Sequence, residues 1–531
     1  MRKLLSLVVA LAMLLTFASM AAVAEEENVF AFSIATKPNL DIHWNAGSTG
    51  ALIIGIMREG LYRYTASGFE LAGAVGVEVS EDGLTWTFKL REDAKWSDGN
   101  PVVAGDYVYS MQRLVDPAIS TTYMDDYGRF LKNGPAISAG EMPVEELGVI
   151  AKDDFTLEVQ LEELCSFFDA LLCYTTYFPL RADTVSETGN GDWAWKVETS
   201  ITNGAMKMTA CDEEQEIVLE RNPYYWDAEN VKTDKIIVKL ADDPNTALGL
   251  LRTGEVDMIF DFPSEEGLAL KEQGLYHATA RLTTNFMLIN TQKEPYSNPL
   301  VRKALILSVD REYLAGTLFN GTRLPAFSYV GHGFPGSTPD MDFRTEGGDL
   351  FHTDIEQAKA LLAEAGFPDG SGFPVLEICY SNNPNNMLVC EYLQASWEEL
   401  GLTVQLTPIE PAAMTELRDA GNFDITPQGW GADYFDASNM LSIFVTGNFI
   451  NAGRYSSEAF DKLYNDSMVT VDNAERILML LEAERVLILE DAAIIPLFHA
   501  STYAIYDEGV CSNVVFDANA NVMLTQVIVT K

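Results

Sequence analysis

The residues that most invite chemistry are Gly429-Trp430-Gly431-Ala432-Asp433-Tyr434-Phe435-Asp436. An aspartate such as Asp433 can hold a cationic amine through a charge-assisted hydrogen bond. Trp430 and Tyr434 on either side would supply apolar walls that exclude water and strengthen the bond. By itself the segment is a weak signal, because the chain carries 78 acidic residues and most aspartates only solvate a surface.

Other constellations read as loops or scaffold. Gly331-His332-Gly333-Phe334-Pro335-Gly336 has dinucleotide-loop spacing, but Pro335 and the surrounding turn residues deny it the strand before and helix within that such a site needs. Of the five histidines, His43, His277, His332, His352 and His499, no two have the spacing that places metal ligands on one helix face. The six cysteines form no C-x-x-C pair, so a structural zinc site is not expected and disulfide pairing stays open. No G-x-S-x-G nucleophile elbow occurs, although a triad assembled from distant residues leaves no local signature. Neither a metal nor a cofactor is expected.

The elements that must position Asp433 change character along the chain. Leu84, Trp86, Phe88 and Leu90 alternate with Thr85, Thr87 and Lys89, and Phe155, Leu157, Val159 and Leu161 repeat the pattern, predicting half-buried antiparallel strands. Further on, strands at 375–380, 402–407 and 423–426 alternate with helices at 387–400 and 413–420, the grammar of an α/β sheet. The Asp433 segment would then be a loop leaving the carboxyl end of a strand, where open α/β sheets bind ligands. Thr353 and Glu356 form a capping-box pattern for a helix that Gly366 would end, and Asn298-Pro299 opens a helix expected to run to about Tyr313.

Arg2 and Lys3, an apolar run to Val23 and the small-residue ending Ala22-Val23-Ala24 predict a secretory signal over residues 1–24, cleaved before Glu25. The first cysteine is Cys165, so no lipid anchor is expected at the cleavage site. A formal charge of −43 repels nucleic acid and anionic lipid, and 47% hydrophobic residues supply a packed core. No later apolar run is long and charge-free enough to span a bilayer; 477–489 reads as an amphipathic helix. Without repeats or flexible linkers, the domains should be interwoven.

In order along the chain come Val79-Ser80-Glu81-Asp82-Gly83-Leu84-Thr85-Trp86-Thr87-Phe88, Asp93-Ala94-Lys95-Trp96-Ser97-Asp98-Gly99, and Val218-Leu219-Glu220-Arg221-Asn222-Pro223-Tyr224-Tyr225-Trp226. Pro299-Leu300-Val301-Arg302-Lys303-Ala304-Leu305 and Trp430-Gly431-Ala432-Asp433-Tyr434 follow. In this order the chain resembles the oligopeptide- and dipeptide-binding family of extracellular solute-binding proteins of ABC importers, from about Leu40 to Leu497.

The resemblance implies an α/β, two-lobed clamp of the type II periplasmic-binding-protein kind with an additional β-rich domain. Lobe I would comprise 25–48, 196–283 and 502–531, the inserted β-rich domain 49–195, and lobe II 284–501, with two connections acting as a hinge. It further implies a non-catalytic protein, exported to the periplasm or outside the cell, and monomeric. Such a protein captures short peptides as extended strands and delivers them to the permease and ATPase subunits of an importer. Carried over, Asp433 would pair with the peptide amino group and Trp430 would wall a side-chain pocket, with Tyr123 and Arg418 at further pocket positions. Where a tripeptide-binding relative uses an arginine, this chain has Pro427, leaving Arg418, Arg344, His332 or Lys293 as candidates for the peptide carboxylate. The same scaffold serves relatives for nickel complexes, haem or oligosaccharides, and a secreted hydrolase is the more distant alternative; Asp433 favours a ligand with a primary amine.

Overall fold

Two long strands, Tyr276–Ile289 and Ile494–Tyr506, run antiparallel through the middle of the molecule and carry an α/β half on each side. The computed structural model describes residues 27–45, 47–66, 68–186, 191–338, 341–432, 434–448 and 450–530. The expected signal over 1–24 and Asp433 lie outside the described residues.

On one side, Val29–Ile34 pairs in parallel with Lys235–Leu240 and Met258–Ile259, and the sheet extends through Glu216–Arg221 to Met206–Asp212. On the other, Leu376–Ser381 pairs in parallel with Val404–Ile409 and with Ile425–Gly431, which lies antiparallel to the first long strand. Parallel strands need crossover connections that cover both faces, so their apolar residues pack into closed cores. Phe30, Phe32, Ile236, Val238 and Met258 centre one core; Phe286, Ile289, Ile378, Trp397 and Ile425 centre another.

The two cores part where the long strands lose register. Ala280 pairs with Ser501 and the next pair is Thr284 with His499, so Arg281, Leu282 and Thr283 stand opposite Ala500 alone. Extra residues on one strand break the ladder and bend it.

The alternating segments form Thr85–Leu90 and Thr156–Gln160, paired antiparallel with Phe88 opposite Leu157 and Trp86 opposite Val159. With Ala74–Val79 and Val149–Asp153 they make a four-stranded sheet. Its buried face packs with the helix Ala104–Val115 through Tyr107, Met111 and Leu114. This core takes residues from Leu61 to Tyr177, whereas Ile53, Met57, Phe178 and Trp193 pack with Phe30 and Phe32. The helix Ser48–Met57 and the segment after Tyr177 therefore share the core of the first half.

Three local expectations differ from the structure. Asp354, and not Thr353, caps the helix Ile355–Glu364 by accepting from the Gln357 N–H; the Thr353 hydroxyl instead donates to the Val309 carbonyl. The helix opened by Asn298 stops at Leu307, and Asp310 caps a new turn at Arg311–Tyr313. The break lets the buried Arg311 guanidinium donate to the carbonyls of Ile306, Val309 and Pro496. Ile425–Gly431 continues as strand well past Thr426. No disulfide joins the six cysteines. No helix among the described residues is long and apolar enough to cross a membrane.

Candidate ligand-binding cleft

A cavity of about 930 Å³ opens at the register shift, at the large end of the range for small-ligand pockets. Its floor is the crossing strands, through Arg281, Leu282, Thr283, Ser501, Thr502 and Tyr503. The first half contributes Ser33, the Asn45 to Glu59 region and Phe260; the inserted domain contributes Tyr64, Tyr123 and Tyr174. Gly431 and Ala432 form the wall from the second half, and the C-terminal loop adds Asp517, Asn519 and Asn521. The two halves that wall it have separate cores, so movement at the crossing strands would change the cavity.

The expected site residues divide by location. Gly431 and Ala432, which line the cavity, immediately precede Asp433. The strand brings them there because Trp430 pairs with Thr284 and Gly431 with Thr283. A side chain at Gly431 would place its Cβ 2.7 Å from Thr283 Oγ1, so glycine permits the close approach. Trp430 is half-buried against the second core, and its indole N–H donates to Asn439 Oδ1 at 3.1 Å; it sits just behind the cavity wall. Tyr123 does line the cavity, with its ring edge-on to Tyr127 and Tyr174 at 5.1 and 6.1 Å.

Tyr434 and Arg418 are placed elsewhere. Tyr434 is 8% exposed and its ring lies on Phe167 inside the core of the inserted domain. Arg418, on the helix Pro411–Ala420, donates to the Pro427 carbonyl at 2.6 Å and so braces the strand that leads to Trp430. The other carboxylate candidates also do not line the cavity: Arg344 is buried against Glu484, Lys293 pairs with Asp424, and His332 pairs with Asp342.

The charged lining comes from residues that no sequence motif singled out. Arg63 donates to Glu70 and Asp227 at 2.9 and 2.8 Å, and Glu59 accepts from the Tyr225 hydroxyl at 2.8 Å and the Trp226 indole N–H at 2.5 Å. The Tyr225-Trp226 pair thus anchors a cavity-edge carboxylate, which burial holds above its ordinary range despite Arg63 nearby. Arg281 is exposed on the floor, and burial pushes Asp517 up to about 6. A lone arginine between Ala280 and Leu282 carries no signal until the strands are paired; only the tertiary structure reveals it.

With a hinged pair of α/β halves, an inserted domain and a cleft between them, the structure is that of a clamp that encloses a solute. Residues 67–452 match bacterial extracellular solute-binding proteins, family 5 Middle, and the chain belongs to that family. It is 33% identical over 477 residues to the periplasmic oligopeptide-binding protein OppA of Salmonella typhimurium, covering 87% of this chain and 85% of the relative. It is 31% identical to the dipeptide-binding protein DppE of Bacillus subtilis, over 81% of this chain and 79% of the relative. Among solved structures, the unliganded open form of the periplasmic murein tripeptide binding protein MppA superposes with a TM-score of 0.85 at 26% identity, covering 95% of this chain and 98% of that one. Listeria monocytogenes OppA bound to peptide is 28% identical over 96% of this chain and 100% of that one, yet its TM-score is 0.67.

Proposed function

We propose that this protein is the solute-capturing component of an ABC importer, closing its lobes on short peptides and presenting the closed form to the permease and ATPase subunits. The observation that carries the reading is the cleft at the register shift, walled by both halves and by the inserted domain. Asp433 takes the peptide amino group: it directly follows the cavity-lining Ala432, and the aromatic surfaces of Tyr123 and Tyr174 lie in the same cavity. Main-chain hydrogen bonds to an extended ligand give affinity that does not depend on side chains, and a roomy cavity tolerates varied ones. The ligand is carried unaltered; no step of bond cleavage is assigned. The mature protein, exported and without a lipid anchor, acts as a monomer outside the cytoplasmic membrane.

Native mass spectrometry of the purified protein, before and after mild denaturation, tests this. Co-purified peptides of mixed sequence and narrow length are expected. A bound metal chelate, haem or sugar would keep the clamp and overturn the peptide assignment. Asp433→Ala is expected to weaken peptide binding by about 2–5 kcal/mol, the cost of leaving a desolvated charge unpaired.

A further inference from the structure

Six arginines among the described residues are buried: Arg58, Arg113, Arg302, Arg311, Arg344 and Arg476. A guanidinium removed from water needs acceptors for its donors. Arg113 has Asp41, Arg344 has Glu484, Arg476 has Asp436, and Arg302 and Arg311 donate to main-chain carbonyls. Arg58 is the exception. It is 3% exposed and lines the cavity, and no described residue accepts a hydrogen bond or forms an ion pair with its guanidinium.

Arg58 follows the helix Ser48–Met57 in extended conformation, with its guanidinium carbon 5.4 Å from the centre of the Trp193 ring. The carboxylate whose charge acts on it is Asp41, and its oxygens are already engaged. Arg113 donates to both at 2.8 Å, the Trp193 indole N–H donates to Oδ2 at 2.8 Å, and the His43 N–H donates to Oδ1 at 3.0 Å. His43 adds no charge there. Burial, and then Arg113, hold it down to about 3, so it is neutral; its Nδ1 accepts from Arg113 and its Nε2–H donates to the Thr176 carbonyl. Burial also lowers Arg58, to about 10, which leaves it charged at neutral pH. The Asp41 oxygens are therefore taken, and Arg58 faces the cavity with no acceptor among the described residues.

We infer that Arg58 receives a carboxylate from the bound ligand, which supplies the acceptor its buried guanidinium lacks among the described residues. The planar fork of a guanidinium matches a carboxylate through two parallel hydrogen bonds, and the ring of Trp193 holds it in place from one side. This assignment rests on the peptide reading and sharpens it: the cavity takes peptides that bring a carboxylate to Arg58, from the C-terminus or from an acidic side chain.

Calorimetric titration of three peptides into wild type, Arg58→Gln and Arg58→Lys tests it. The first peptide has neutral side chains and a free C-terminus, the second is its C-terminal amide, and the third is that amide with one glutamine replaced by glutamate. Wild type is expected to prefer a carboxylate-bearing peptide over the plain amide by about tenfold or more, the scale of one charge-assisted contact. The arm that responds identifies the source. In Arg58→Gln the preference should collapse while binding of the plain amide persists, and Arg58→Lys should restore only part of it; a merely structural role would weaken all three peptides alike. Wild type that binds all three equally overturns the assignment, and this arm needs no variant to fold. A preference that survives in Arg58→Gln overturns it too. Wild type that binds none of them overturns the peptide reading itself, and this assignment with it.

Discussion

The rings of Tyr434 and Phe167 lie face to face, 4.2 Å between centroids and 4° from parallel. Phe167 belongs to the inserted domain and Tyr434 directly follows Asp433, so the stack ties the segment proposed to bind the ligand to a different packing unit. Phe435 reinforces the tie with edge contacts to Tyr64 and Phe69 at 6.0 and 6.3 Å. Immediately beyond, Asp436 is held by Arg476 in a buried two-point ion pair.

Removing the stack should therefore affect stability and binding together. Phe167→Ala is expected to cost about 3–5 kcal/mol in urea unfolding, as large core truncations of aromatic rings do. Although Phe167 is not part of the cavity wall, peptide affinity should fall as well, because the segment after Ala432 loses its anchor. Tyr434→Phe keeps the ring and should retain most of both.

Asp517 gives stability a pH dependence of identifiable sign. Burial raises it from 3.8 to about 6 in the folded protein. The folded state therefore keeps this proton to a higher pH than the unfolded chain does. The resulting stabilisation is fully present below about pH 4 and is lost as pH rises through 6, a change of at most about 3 kcal/mol. Thermal melts of wild type and Asp517→Asn between pH 4 and 7 should converge or diverge accordingly, with wild type losing ground to the variant as pH rises. Asp169, pushed up to about 6 by burial as well, is common to both proteins and drops out of the difference.

The cysteines should behave as inert core residues. Cys165, Cys173, Cys379, Cys390 and Cys511 are buried and only Cys211 is partly accessible. Burial pushes Cys379 up to about 11 and Cys390 up to about 12, and raises Cys165, Cys173 and Cys211 as well. A thiol reagent should label at most Cys211 in the native protein at neutral pH and all six in denaturant, with no reductant required.

Much of the framework was legible because hydrophobic periodicity is local. The alternation around Trp86 and Phe88 places both strands and even predicts their antiparallel kind, and the strand–helix order after Val375 marks a parallel sheet. Punctuation misleads where tertiary pairing overrides it. Pro427, Gly429 and Gly431 look like loop residues after Thr426, yet the first crossing strand supplies partners along the whole segment and keeps it extended. Asp354 outcompetes Thr353 as a cap because the threonine hydroxyl is drawn to Val309, a neighbour remote in sequence. The cleft was half legible. Tyr123 reaches it, whereas Tyr434 is taken into a core, and Arg58 and Arg281 acquire meaning only when chain segments far apart in sequence come together around one cavity.

Closure itself is the remaining expectation. The cores centred on Phe32 and on Phe286 are separate, and between them the ladder lapses at Arg281, Leu282 and Thr283, so bending there breaks no pairing of these residues with the second long strand. A ligand that touches both walls binds the closed arrangement better than the open one and shifts the population by that difference in affinity. Small-angle scattering should show the radius of gyration falling when a bound peptide is added. The melting transition should rise at the same time, by the equivalent of about 2.7 kcal/mol at a hundredfold excess over Kd. With Asp433→Ala at the same peptide concentration, both changes should shrink together, since closure is driven by the bond energy that the variant removes. Compaction that persists in the variant without added stability would mean that the lobes close on their own, and that Asp433 contributes nothing to holding them shut.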